Sequence, residues 1–136
     1  MTNPVAGLSL HHVGIVVADF EAAVAQYRAL GFDEPEIIEV KQQNIIAAVF
    51  KVGVGYVELI SPTDTESGTA RYLAKRGEGT HHVAYSVADI DSKLVELRDA
   101  GFRLIDESSR RGAHDWRIAF IHPESCNGVL TELVEE

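Results

Sequence analysis

The sequence repeats itself at a spacing of 70 residues, and this repeat limits the possible folds more than any other feature. The stretch LHHVGIVVAD at 10–19 returns as THHVAYSVAD at 80–89, and VEL at 57–59 returns as TEL at 131–133. The second pair is 74 residues apart, so the second half holds four additional residues. An internal repeat predicts two similar structural units, and this one duplicates both a histidine and a glutamate.

Each half carries the pattern of a strand, a helix and three further strands. Asp19 and Asp89 are favourable N-cap residues, and Gly31 and Gly101 supply the left-handed conformation that commonly ends a helix. In the first half the pattern predicts a strand at 8–17, a helix at 19–30 and strands at 37–40, 45–52 and 56–60. In the second half it predicts a strand at 81–87, a helix at 89–100 and strands at 102–105, 117–121 and 129–134.

The local sequence also predicts finer features. Ser67 should cap a short helix at 68–76 between the halves, and Asn127-Gly128 is typical of a tight turn before the last strand. The four additional residues should lie in the polar loop 108–116. Apolar residues recur at helical spacing in the first helix and should form its buried stripe: Phe20, Val24, Tyr27 and Leu30.

The chain has the length of one compact domain. At 136 residues, each half alone would bury little surface, so the two halves should share a core. We therefore predict a single α+β domain, 1–136, built from two β-α-β-β-β modules. Module one spans about 8–60, the linker with its helix spans 61–79, and module two spans about 80–136.

Composition argues against several classes of protein. The formal net charge of −9 argues against a non-specific nucleic-acid binder, which would present a basic face. Cys126 is the only cysteine, so no intrachain disulfide can form and nothing indicates secretion. The N-terminus lacks a basic stretch followed by an apolar run, and no apolar stretch is long enough to span a membrane. We predict a cytoplasmic protein without nucleic-acid or membrane partners.

The duplicated histidines are the first candidate functional residues. Side chains alternate between the two faces of a strand, so the adjacent residues His11 and His12 should point in opposite directions. His11 shares its face with an apolar series that suits packing beneath a helix. His12 shares its face with Gly14, and His82 shares its face with Ala84, so small residues leave space in front of both imidazoles.

The duplicated glutamates complete the candidate site. Glu58 and Glu132 lie among apolar residues, where a carboxylate is costly unless it is paired, protonated or bound to a metal. We therefore hypothesise that they form an octahedral metal site with His12 and His82, in which two positions are left for water or substrate. A lone strand histidine is usually structural and a lone strand glutamate usually faces solvent, but the joint duplication favours the metal. Such nitrogen and oxygen ligands suit Co²⁺, Mn²⁺, Ni²⁺, Fe²⁺ or Zn²⁺.

Other chemically capable residues give weaker signals. His114 and His122 are better explained as structural or loop residues, and Cys126 has no base adjacent in sequence. Five basic residues could bind phosphates, although solvated surface charge is the simpler interpretation of each one: Arg71, Lys75, Arg76, Arg110 and Arg111.

Together these motifs resemble the vicinal oxygen chelate superfamily of glyoxalases, bleomycin resistance proteins and dioxygenases, and within it the methylmalonyl-CoA epimerases most. The likeness extends over nearly the whole chain, and its most specific part is AKRGEGTHHVA at 74–84. The other matching stretches are HVGI at 12–15, VEL at 57–59, GAH at 112–114, FIHP at 120–123 and GVLTEL at 128–133. The resemblance implies paired βαβββ modules that form a curved mixed sheet around a divalent metal.

The resemblance also implies an activity and the residues that carry it. The metal ligands would be His12, Glu58, His82 and Glu132, with Glu58 and Glu132 also catalytic; some epimerases have Gln at the position of Glu58. The enzyme would interconvert (R)- and (S)-methylmalonyl-CoA, or a close acyl-CoA, by 1,1-proton transfer through an enolate. The resemblance favours Co²⁺, with Mn²⁺, Ni²⁺ or Zn²⁺ as alternatives, and a homodimer.

Two positions depart from the epimerase pattern. Ala47 stands where some epimerases carry a glutamate proposed as a catalytic base. Asp115-Trp116 replaces the usual glycine and lysine in a loop that helps to shape the substrate mouth. Two rival functions therefore remain open, a glyoxalase I-like lyase acting on a glutathione hemithioacetal and a non-catalytic small-molecule binding protein. The retained His and Glu pairs argue against the binding protein, and the stretch 75–83 argues against the glyoxalase.

Overall fold

The computed structural model describes residues 8–136 as an α+β fold with the predicted β-α-β-β-β order in each half. The strands are β1 Ser9–Val16, β2 Glu36–Val40, β3 Ile45–Val52, β4 Gly55–Pro62, β5 Gly79–Ser86, β6 Arg110–Arg111, β7 Arg117–Ile121 and β8 Thr131–Glu135. The helices are α1 Phe20–Leu30, α2 Gly68–Arg76 and α3 Ile90–Asp99, and 3₁₀ turns cover Lys41–Gln43, Ala113–Asp115 and Pro123–Cys126. Within 8–136, no helix combines the length and the apolar character needed to cross a membrane.

The chain divides into two compact units. The first unit is His12–His81, and the second unit is His82–Glu136 together with residues 8–11. In the first unit the strand order is β2-β3-β4-β1, with β1 parallel to β4 and the other neighbours antiparallel. In the second unit the order is β6-β7-β8-β5, with β5 parallel to β8. The sequence repeat is therefore a repeat of strand topology.

The N-termini of α1 and α3 are capped in the same way. The Asp19 carboxylate accepts a hydrogen bond from the Ala22 N–H at 3.1 Å, and the Asp89 carboxylate accepts one from the Ser92 N–H at 3.1 Å. These bonds satisfy amide groups that the helix itself cannot pair. The Ser67 hydroxyl caps α2 likewise, accepting from the Ala70 N–H at 3.2 Å. All three predicted caps are confirmed.

The C-termini of α1 and α3 also match. Gly31 has a φ of 118°, and the next residue, Phe32, donates its N–H to the Tyr27 carbonyl at 3.2 Å. Gly101 has a φ of 92°, and Phe102 donates to the Leu97 carbonyl at 3.0 Å. This geometry turns the chain back along the helix and carries a phenylalanine towards the core.

A helix covers one face of the strands in each unit. The apolar cluster of the first unit contains Ile15, Val17, Phe20, Ala23, Val24, Tyr27, Phe32, Ala48, Phe50 and Leu59. The cluster of the second unit contains Tyr85, Val87, Ile90, Leu94, Leu97, Phe102, Leu104, Ala119, Ile121, Cys126 and Leu133. The predicted stripe of α1 is wrong at Leu30, which is 71% exposed. Because the chain reverses at Gly31, Phe32 packs against Tyr27 in its place, with ring centroids 5.3 Å apart.

The predicted strand at 102–105 is wrong. Leu104 makes only an isolated bridge with Ile121, and the second strand of the module is β6, inside the predicted loop. Hydrogen bonds to side chains take up backbone groups that regular pairing with β7 would use. The Arg103 N–H donates to the Ser125 hydroxyl at 2.9 Å, and the Phe120 N–H donates to the Asp106 carboxylate at 2.8 Å.

The four additional residues are distributed differently from the prediction. The paired residues Phe50 and Val57 are separated by six residues, whereas their counterparts Ile121 and Thr131 are separated by nine. Three additional residues therefore lie between β7 and β8 rather than at 108–116. They make room for the 3₁₀ turn Pro123–Cys126, after which Asn127 and Gly128 adopt left-handed φ values of 57° and 91° as the predicted tight turn.

We expect Asp91→Asn to lower the free energy of unfolding at neutral pH and to have no effect in strong acid. The Asp91 carboxylate accepts the Ser109 N–H at 3.2 Å, and hydrogen bonding from the Ser109 side chain, with a smaller contribution from the Arg117 charge, lowers the pKa of Asp91 below 3.8. The stabilisation is therefore complete above pH 3.8 and is lost as the pH falls through the lower pKa of the folded state.

Urea unfolding of both proteins across this pH range measures the effect, with Asp33→Asn as a control on an exposed aspartate. A difference between Asp91→Asn and wild type that does not shrink below pH 3.8 would contradict the assignment.

Candidate metal and active site

The first unit places one imidazole and one carboxylate on the same face of its strands. Glu58 on β4 is in register with Gly14 on β1, and His12 precedes Gly14 by two residues, so both side chains share a face. The neighbouring residue Leu59 points to the opposite face, into the cluster beneath α1. His12 is 4% exposed and Glu58 is 7% exposed. The His12 Nδ1 lies 3.5 Å from the Glu58 Oε2.

The second unit repeats this arrangement. Glu132 on β8 is in register with Ala84 on β5, and His82 precedes Ala84 by two residues. Leu133 faces the cluster beneath α3. His82 and Glu132 are each 5% exposed, and the His82 Nε2 lies 3.1 Å from the Glu132 Oε1. As predicted, each duplicated histidine lies on the face away from the helix, and the duplicated glutamate of the same unit shares that face.

These residues have the chemistry of a metal site. Two ligand atoms about 2.1 Å from one ion and at right angles to each other are about 3 Å apart. The separations of 3.5 Å and 3.1 Å within the two pairs fit such a chelate. With the family relationship described below, a buried His–Glu pair in each unit indicates a divalent metal.

Further side chains border the two pairs and were not predicted from the sequence. In the first unit Tyr56 is in register with His12, and the Lys51 Nζ lies 4.7 Å from the centre of the Tyr56 ring. In the second unit Phe120 is in register with Glu132, and its ring centroid is 5.7 Å from that of His82. The alternation of side chains along each strand could have indicated these neighbours only if the pairing register between the strands had also been known.

Ala47 lies on the same face as Glu58. It is 1% exposed, and its register partners are Ile38 on β2 and Ile60 on β4. The row of the sheet that contains Ala47 is thus apolar across three strands, with no carboxylate among these positions. Any second base used by this chain has to come from another position.

The loop between β6 and β7 is tightly folded. A Cβ on Gly112 would lie 2.8 Å from the Ile118 Cδ1, so a larger residue at this position would have to displace the Ile118 side chain. His114 and Asp115 have left-handed φ values of 58° and 59°, a conformation that costs non-glycine residues free energy. Trp116 packs against the apolar cluster that contains Ala84, Ile118 and Val134. The loop that departs from the epimerase pattern thus places an indole on the face that carries Glu132.

Several of the remaining candidates have structural contacts. The His122 Nδ1 accepts the Glu124 N–H at 3.0 Å, which caps the 3₁₀ turn and confirms the structural interpretation. Cys126 packs in the apolar cluster beneath α3. Arg71 donates to the Glu66 carbonyl, and the Arg76 guanidinium lies over the Tyr72 ring at 5.5 Å.

Comparison with known proteins identifies the class to which this fold and site belong. Residues 11–120 match the model of the Glyoxalase/Bleomycin resistance protein/Dioxygenase superfamily, and the chain belongs to that family. The predicted superfamily and fold are confirmed.

The relatives narrow the class further. The ethylmalonyl-CoA/methylmalonyl-CoA epimerase of Cereibacter sphaeroides is 35% identical over 127 residues, covering 91% of this chain and 95% of that protein. The uncharacterized protein YqjC of Bacillus subtilis is 37% identical over 129 residues, covering 93% of this chain and 91% of that protein. A solved structure of methylmalonyl-CoA epimerase with methylmalonyl-CoA and NH₄⁺ is 38% identical and superposes with a TM-score of 0.91, covering 96% of each chain. The two epimerases among these relatives confirm the predicted likeness to methylmalonyl-CoA epimerases, and they identify the chain as an enzyme of the isomerase class.

Proposed function

We propose that the protein is a metal-dependent epimerase that interconverts (R)- and (S)-methylmalonyl-CoA or a close acyl-CoA. The observation that carries the proposal is the presence of a buried His–Glu pair at equivalent positions in both units, 3.5 Å and 3.1 Å apart. The epimerase relatives support the substrate class, since one of them is a complex with methylmalonyl-CoA itself.

One divalent ion would be held by His12, Glu58, His82 and Glu132. Burial makes these four residues good ligands, because a carboxylate removed from water is stabilised by a cation and an imidazole can donate its lone pair. A bound ion would stabilise the negative charge that develops on the thioester oxygen as the α-proton leaves. We propose Co²⁺, with Mn²⁺, Ni²⁺ or Zn²⁺ as alternatives.

The proton transfers are assigned to the two glutamates. Inverting a carbon centre requires one group that takes the proton from one side and another that returns a proton from the other side. Glu58 and Glu132 are the carboxylates that the repeat places equivalently, one in each unit. In one direction Glu58 takes the proton and Glu132 returns one, and in the reverse direction the roles exchange.

The apolar row around Ala47 supports this assignment. Where some epimerases carry an additional glutamate, this chain has a methyl group that is 1% exposed. Neither Ile38 nor Ile60, its neighbours in register, can accept a proton. In the first unit, Glu58 therefore has to do the work that a separate base would otherwise do.

The direct test is interconversion of methylmalonyl-CoA epimers by the purified protein. We expect either pure epimer to reach the equilibrium mixture with added Co²⁺, and chelation of the metal to abolish the reaction. Methylglyoxal with glutathione is tested in parallel, because the glyoxalase I-like lyase is the rival enzyme. Turnover of the hemithioacetal without epimerisation would replace the proposal. Tight binding of acyl-CoA without turnover of either substrate would favour a binding protein. The cytoplasmic location and the homodimer stay predictions from the sequence.

A further inference from the structure

We infer that Arg110 is a specificity-determining residue that binds an oxyanion of the substrate, a carboxylate or a phosphate. The inference rests on the proposed function, because it requires an acyl-CoA in front of Glu132. It assigns a role to a residue that the sequence alone left as surface charge.

The register of the second unit places Arg110 on the same face as Glu132. Arg110 on β6 pairs with Ile118 on β7, and Ile118 pairs with Val134 on β8, two residues beyond Glu132. Ile118 and Val134 belong to the apolar cluster on the face opposite α3. Residues in register across neighbouring strands share a face, so the Arg110 side chain starts on the face that carries Glu132.

The side chain then runs towards the row that contains Glu132. The Arg110 guanidinium carbon lies 5.7 Å from the centre of the Phe120 ring, and Phe120 is the register partner of Glu132. A guanidinium over an aromatic face at this distance is attracted by the ring. The guanidinium is therefore held beside the row of the sheet that contains Glu132.

Asp106 fixes the orientation of the guanidinium. The Arg110 Nε donates to the Asp106 Oδ1 at 3.1 Å, and the Asp106 Oδ2 accepts the Phe120 N–H at 2.8 Å. The Asp106 side chain is only 16% exposed, whereas that of Arg110 is 43% exposed. Within 8–136, the two terminal nitrogens of Arg110 make no hydrogen bond to protein. Asp106 thus engages one edge of the guanidinium and leaves its terminal N–H groups for another partner.

This arrangement suits recognition of an oxyanion. A guanidinium presents a planar set of donors that matches a carboxylate or a phosphate, and prior orientation reduces the entropy lost on binding. A substituted malonyl-CoA offers both oxyanions, the carboxylate next to the reacting carbon and the phosphates of CoA.

Three unreactive ligands distinguish these sources in the metal-loaded protein. Dimethylmalonyl-CoA has the carboxylate and the phosphates but no α-proton, isobutyryl-CoA lacks the carboxylate, and dimethylmalonyl-pantetheine lacks the phosphates. We expect Arg110→Gln to weaken calorimetric binding of dimethylmalonyl-CoA by about 10-fold or more, the scale of a charge-assisted hydrogen bond. If Arg110→Gln weakens binding of dimethylmalonyl-pantetheine as well but not binding of isobutyryl-CoA, Arg110 binds the carboxylate. If it weakens binding of isobutyryl-CoA as well but not binding of dimethylmalonyl-pantetheine, Arg110 binds a phosphate.

Two further variants separate binding from structure. Arg110→Lys keeps the charge without the planar donors and should show an intermediate loss. Arg103→Gln is the matched control, because Arg103 is 61% exposed and pairs with Glu124 at 3.5 Å. Equal affinity of wild type and Arg110→Gln for all three ligands would overturn the inference alone. Failure of wild type to bind any of them would overturn the proposed function as well.

Discussion

We expect Glu132→Gln to retain its metal ion and to lose epimerisation by about 100-fold or more, the effect of removing a positioned general base. Glutamine keeps the size of the side chain and an oxygen able to bind a metal, but it cannot take up the α-proton. The change should therefore lower kcat more than it raises KM. Metal content by mass spectrometry and initial rates for each epimer of methylmalonyl-CoA measure the two effects separately.

Glu58→Gln tests the other half of the same scheme. Some epimerases have glutamine at this position, so the variant should fold and bind metal, and any loss of rate then reports on proton transfer. Glu124→Gln, an exposed glutamate in the surface pair with Arg103, is the control. Wild-type epimerisation by Glu58→Gln would make Glu58 a ligand only and would require another group for the second proton transfer.

We expect His82→Ala to lose most of its metal ion, and epimerisation with it. His82 is 5% exposed and faces Glu132 at 3.1 Å, so alanine removes a ligand that solvent cannot readily replace. Loss of a residue that merely orients a ligand costs about 10- to 100-fold in metal affinity, and loss of the ligand itself should cost at least as much. His12→Ala should have the same effect.

The matched control is His122→Ala, since the His122 imidazole caps a 3₁₀ turn through the Glu124 N–H. That variant should lose some stability but keep its metal. If His82→Ala and His12→Ala both bound metal as tightly as wild type, the proposed ligand set would be wrong.

Local signals in the sequence were sufficient to predict the helix ends that occur in both halves of the repeat. The Asp19 and Asp89 caps and the Gly31 and Gly101 reversals depend on residues within one turn of each helix, and the structure has all four. Helical spacing wrongly predicts that Leu30 is buried, because that spacing does not show where the chain reverses. The reversal at Gly31 buries the next residue instead.

The errors in the second module arose from interactions that are distant in sequence. The stretch 102–105 has the composition of a strand, but Ser125 and Asp106 take up backbone groups that pairing with β7 would need. Polarity predicts that the four additional residues lie at 108–116, whereas the pairing of Ile121 with Thr131 shows that three of them lie between β7 and β8.

The candidate site was predictable in its residues but not in its surroundings. Strand alternation put His12 and His82 on the face away from the helices, and the structure agrees. Alternation within one strand cannot say which residues of neighbouring strands lie beside a glutamate. Arg110 and Phe120 became candidates only once the register of β6, β7 and β8 was known.

The most direct measurement is exchange of the α-proton of methylmalonyl-CoA in heavy water, followed by NMR. Wild-type protein with Co²⁺ should replace the proton with deuterium while the epimers interconvert, and chelated protein should do neither. The variants Glu58→Gln and Glu132→Gln, with metal content preserved, should each lose both signals. Exchange that persists without metal, or an absence of exchange in the metal-loaded wild type, would contradict the account.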